Sequence, residues 1–104
     1  MKYIMSGSTV VIETIYDDYA TFMDETRDPI YQTILKSFND LKETERIIVN
    51  VKANVENTQF ESNLEFTKAN IDVLVDVLIP FFESEEKYEL CAEAMKLHSE
   101  LIGQ

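Results

Sequence analysis

The chain has 104 residues, enough for one domain with a real core and too few for two. Twenty acidic residues against nine basic ones leave a net charge of −11, a field that repels nucleic-acid phosphates and anionic membrane surfaces and attracts basic proteins. A single cysteine excludes an internal disulfide and suits a reducing compartment. No stretch reads as a signal peptide or a membrane span, so one cytoplasmic domain over residues 1–104 is expected.

Tyr3, Ile4 and Met5 read as a short strand that breaks at Ser6-Gly7-Ser8. Two periods compete from Thr9 to Glu25. Val11, Ile15, Tyr19, Phe22 and Met23 follow helical spacing, yet TVVIETI alone is rich in β-branched residues. A helix over most of the segment is the expectation taken forward, with a strand as its alternative. Asp28-Pro29 is a sharper signal. Asp28 suits an N-cap, and Pro29 suits a first helical position, where its missing N–H costs nothing. A helix is therefore expected from Pro29 to Lys42 or Glu43. Its packed face carries Ile30, Ile34, Phe38 and Leu41, widened by Tyr31 and Leu35, and its outer face carries Gln32, Thr33, Lys36, Asn39 and Asp40.

Val49, Val51, Ala53 and Val55 then alternate with Asn50, Lys52, Asn54 and Glu56, the two-residue period of a half-buried strand. Phe60, Leu64 and Phe66 continue on even numbers, with a turn expected at Asn57-Thr58-Gln59. Thr67–Phe82, TKANIDVLVDVLIPFF, is expected to be the central, buried helix. Thr67 can cap its first turn, and Pro80 should kink or stop it. Ser84 reads as the cap of a last helix, with Glu85 and Glu86 in its first turn and Gly103 as its stop. Leu90, Cys91, Ala94, Met95, Leu97, His98, Leu101 and Ile102 form its broad apolar face. The fold class expected is α+β and mostly helical. Three to four helices pack with a β-hairpin at about 47–66, and the C-terminus is an antiparallel helical hairpin joined at Glu83 to Glu85.

The inventory for catalysis is thin. The one histidine, His98, and the one cysteine, Cys91, lie two helical turns apart, about 10 Å along the axis, too far for direct proton transfer. Both read as packed structural residues. The only glycines are Gly7 and Gly103, so no phosphate loop is expected, and the sequence has neither zinc spacing nor a calcium loop. No enzyme activity, cofactor or metal is expected.

The acids are clustered. Residues 13–28 hold Glu13, Asp17, Asp18, Asp24, Glu25 and Asp28 against Arg27. Residues 83–93 hold Glu83, Glu85, Glu86, Glu89 and Glu93 against Lys87. Solvation is the ordinary role of such faces. The functional reading is a negative surface for a basic protein, because carboxylates at helical spacing imitate the phosphates that Lys and Arg of a nucleic-acid-binding protein contact. The candidate partner-binding residues are Asp17, Asp18, Asp24, Glu25, Glu83, Glu86, Glu89 and Glu93, with Tyr16 and Tyr19 as interleaved contact residues. The function expected is a small acidic inhibitor or regulator of the kind found in phage or mobile elements. It would cover the nucleic-acid-binding surface of a partner without touching nucleic acid or membrane itself. The alternative is an adaptor or assembly subunit that binds through apolar surface, as a homodimer or otherwise.

Overall fold

The computed structural model describes residues 3–6 and 8–103. The elements are β1 (Tyr3–Ser6), β2 (Thr9–Tyr16), α1 (Tyr19–Phe38), β3 (Arg46–Val55), β4 (Thr58–Thr67), α2 (Ile79–Ser84) and α3 (Tyr88–Ile102). The result is a small α+β domain. Its sheet has the order β1-β2-β3-β4, antiparallel at both outer pairs and parallel between β2 and β3. A parallel pair needs a crossover, and α1 supplies it. The short strand expected at Tyr3–Met5 is β1; its break falls partly on Gly7, which lies outside the described residues.

The segment expected as a helix from Thr9 is instead the strand β2, and the helix begins at Tyr19. Val10, Ile12 and Tyr16 are buried and Glu13 and Ile15 exposed, so the strand alternation decides the burial. Burying an aliphatic side chain stabilises by about 1.5–3 kcal/mol, against a few tenths per residue for helical propensity. Between Val11 and Ile15 the pairing with β3 slips, four residues of β2 passing two of β3.

Asp28-Pro29 does not start a helix. α1 runs through Pro29, whose ring is buried, and the true cap is Asp18. Proline removes one hydrogen bond from the ladder, and the burial of its ring offsets part of that loss. Thr33, expected on the outer face, is buried together with Thr26. Each hydroxyl donates to the carbonyl four residues back, Thr33 to Pro29 at 2.9 Å and Thr26 to Phe22 at 2.6 Å, so neither is left unsatisfied.

The hairpin is present, with its turn one residue earlier than expected. Glu56 and Asn57 form the loop with φ of 52° and 60°, a type I′ geometry that suits Asn and strains Glu. Val49, Val51, Ala53 and Val55 face inward as expected, with Phe60, Leu64 and Phe66 half-buried on the same side. On the opposite, solvent-facing side lie Lys52, Asn54, Glu61 and Asn63.

The expected central helix is broken. Thr67 caps a 3₁₀ turn, its hydroxyl accepting from the Ala69 N–H and Asn70 answering in a capping box. A π turn, Leu74–Leu78, follows, and Pro80 sits just inside α2. A proline ring clashes with the carbonyl one turn back, and the wider π turn relieves that clash, so the chain continues instead of stopping. Nor is the segment wholly buried: Leu74, Leu78 and Phe82 are, whereas Val75 and Val77 are exposed. The longest helix, α1, takes the central place.

The helical hairpin is therefore present in part, with a fragmented first arm and α3 as its second. Cys91 Sγ lies 3.6 Å from the Ile79 carbonyl and His98 Nε2 lies 3.2 Å from Asp72 Oδ1, which fixes the antiparallel pairing. Ser84 does not cap α3: it ends α2, donating to the Phe81 carbonyl at 2.7 Å, and the turn occupies 85–87 with Glu86 at φ 58°. Gly103 follows the last helical residue as expected, in right-handed conformation.

All helices pack on one face of the sheet, in two clusters that meet at Phe60. The larger joins Ile34, Phe38 and Leu41 to Ile47, Val49 and Val51 and to Leu74, Leu78, Phe82 and Leu97. The smaller joins Val10, Ile12, Tyr16 and Phe22 to Ala53 and Val55.

Candidate functional site

The first acidic group sits where β2 passes into α1. Asp18 accepts from the Thr21 backbone N–H at 2.8 Å and the Thr21 hydroxyl at 2.9 Å, and these bonds hold its carboxyl below the ordinary value. It is exposed, as are Asp17, Asp24 and Glu25. Tyr16, expected as a contact residue, is only 4% exposed and stands edge-on to Phe22. Its hydroxyl is buried and makes no well-formed hydrogen bond among the described residues, with the Glu25 carboxylate as its neighbour. Burial pushes its pKa up, and the nearby Glu25 carboxylate adds to the shift without reaching a well-formed bond. Tyr19 is half-exposed, with its ring against Phe22 and Phe60.

The second group surrounds the α2–α3 turn. Glu83, Glu85, Glu86 and Glu89 are all exposed there. Lys87 Nζ, in the same turn, lies 2.6 Å from Asp28 Oδ1. That ion pair fastens the turn against the middle of α1, one helical turn beyond Asp24, or about 6 Å. Asp28 also accepts from the Gln32 amide, at 3.1 and 3.2 Å. Edge-on packing of Tyr31 on Phe81, with ring centres 5.1 Å apart, holds the same seam. Two acidic groups far apart in sequence thus share one flank.

Glu93 does not share it. It lines a polar cleft of about 290 Å³ between α1 and α3, together with Lys36, Asn39, Lys42, Lys96 and Glu100. Lys42 and Glu100 pair at 3.1 Å. The acidic stripe of α3 is therefore offset by lysines along its C-terminal half.

In sequence Asp28 suits a cap and Lys87 stands alone among acids; nothing in either segment signals that the two meet. It also missed an apolar cleft of about 170 Å³ between α1 and the inner side of β4, lined by Tyr19, Met23, Tyr31, Phe60 and Leu64 among others. The alternation of Phe60 and Leu64 marks their side of the strand but not the space beside them.

Elsewhere the chemistry is sparse. Burial raises the Cys91 thiol above its ordinary value, and Glu83 adds to the rise, which disfavours a nucleophilic thiolate. Among the described residues no group of three or more His, Cys, Asp or Glu side chains could hold a metal ion. Among them, too, no helix is long and apolar enough to cross a membrane. Comparison with family models, curated proteins and solved structures finds no match to this chain.

Proposed function

We propose that the chain is a non-enzymatic protein-binding module whose acidic flank takes a basic, nucleic-acid-binding surface of a partner, as an inhibitor or regulator. The observation that carries this reading is the Lys87–Asp28 pair, which ties the turn bearing Glu83, Glu86 and Glu89 to α1 about one helical turn from Asp24. A negative charge of 11 with several acids on one flank gives the long-range attraction and the local pattern that Lys and Arg rows recognise. Tyr19 supplies exposed aromatic area at the margin.

The test is capture of partners by the tagged protein from its native cells at low and high salt, beside the triple variant Asp24→Asn, Glu86→Gln, Glu89→Gln. A basic nucleic-acid-binding protein that is retained at low salt, released at high salt and lost with the variant supports the reading. A partner indifferent to both sinks it.

One observation favours the alternative, assembly through apolar surface. Tyr88, Met95 and Ile102 recur every seven residues on α3 and are each about 60% exposed, with Ala92 between them. Interaction through that stripe would survive high salt and fail with Met95→Lys.

A further inference from the structure

The free edge of the sheet at β4 carries a second kind of complementarity. We infer that β4 accepts an extended segment of a basic partner as a fifth strand, one whose apolar residues alternate with Lys or Arg.

The edge is long and open. β4 has ten residues, and among the described residues it pairs with β3 alone. Its bonding pattern follows from the turn. A two-residue loop closes on a hydrogen-bonded pair, here Val55 with Thr58, and such pairs alternate up an antiparallel ladder. Phe60, Ser62 and Leu64 therefore bond to β3, while Gln59, Glu61, Asn63 and Glu65 direct their N–H and C=O groups outward. Consistently, Asn50 of β3 donates its N–H to Ser8, on the opposite side. Unmet edge groups of this kind are a template for one more strand.

Charge selects the strand. On the solvent-facing side β3 is basic where β4 is acidic: Lys52 stands opposite Glu61, and Arg46 lies 3.6 Å from Glu65. The next column outward should be basic, since opposite charges on neighbouring strands stabilise and like charges oppose pairing. A second copy of this chain would bring the same two glutamates, on a molecule already at −11. On the inner side the cleft under α1 opens beside Phe60 and Leu64 and offers apolar lining to every second residue of the incoming strand. One wall of that cleft is Tyr31, which packs on Phe81, so the edge borders the acidic flank. The inference rests on the proposed basic partner for the sign of its charge but uses a different surface.

The test is an NMR titration of the full chain with a capped ten-residue peptide alternating Arg and Val. Its controls are the same peptide N-methylated at every second residue and a Glu/Val version. The expected result is slowed amide exchange at Gln59, Glu61, Asn63 and Glu65. Affinity should fall about tenfold or more with N-methylation, and similarly with Glu61→Lys/Glu65→Lys, whose side chains are exposed and outside the core. Shifts confined to Asp24, Glu83, Glu86 and Glu89 would overturn edge docking and leave the acidic-flank reading standing. No shift anywhere would also overturn it, the salt-dependent capture then deciding the flank separately. Concentration-dependent protection of the β4 amides without peptide would overturn it in favour of a second copy.

Discussion

Tyr16 is a buried phenol whose hydroxyl makes no well-formed hydrogen bond among the described residues, an arrangement that costs stability. Tyr16→Phe keeps the ring packing against Phe22 and removes the orphan, so it should raise unfolding free energy by about 1 kcal/mol in urea titrations. It should also flatten the alkaline limb of stability. A phenol with a raised folded-state pKa contributes fully below its ordinary value of 10.0 and loses that contribution as pH climbs through the raised value. Asp18 runs the other way. Its depressed carboxyl contributes above its ordinary value of 3.8 and fades as pH falls through the lowered one. Asp18→Ala should therefore lower the Tm at neutral pH, with the gap closing as acid protonates the parent's cap. At this scale the alternation of β3 and the cap at Thr67 were legible because they depend on neighbours in sequence. The roles of Asp28 and Thr33 were not, since each is decided by what packs beside it; Asp18 caps through Thr21, three residues on, and was masked by Asp28-Pro29, which imitates a helix start without being one.

Among the elements, α1 and β4 carry the sharpest expectations. Pro29 in the interior of α1 costs about 3 kcal/mol of helical preference, part of it offset by the burial of its ring. Pro29→Ala should leave a net gain of about 1–2 kcal/mol, read by the urea midpoint at unchanged slope. In β4, native-state exchange should alternate. The amides of Phe60, Ser62 and Leu64 should be slow and those of Glu61, Asn63 and Glu65 fast; uniform protection would mean the edge is covered. The hairpin could be read from sequence because its two faces differ so plainly in polarity. β2 was misread because Val11, Ile15 and Tyr19 happen to fit a helix, while the pairing with β3 that decides the matter lies some forty residues away. The Thr67–Phe82 segment was recognised as apolar, but sequence could not foresee that Pro80 would be absorbed by a π turn.

At the scale of the whole molecule, helices cover only one face of the sheet, and the overall dimensions are 45 × 29 × 19 Å. So thin a body cannot hide much charge, and the net −11 is spread over surface that the fold sorts unevenly. Lysines 36, 42 and 96 gather around Glu93 and Glu100, which leaves the flank formed by the start of α1 and the α2–α3 turn as the more negative side. The acidic groups were visible in sequence as runs; their meeting through Asp28 and Lys87 was not, since it depends on the angle at which the helical hairpin lies against α1. Competition with nucleic acid shows whether the acidic flank occupies the partner's nucleic-acid site. The captured basic partner is loaded with labelled DNA or RNA, and this protein is titrated in at low salt. The parent chain should displace the nucleic acid, and the Asp24→Asn, Glu86→Gln, Glu89→Gln variant should leave it bound. A ternary complex in which the partner keeps its nucleic acid while holding this protein would contradict that occupancy.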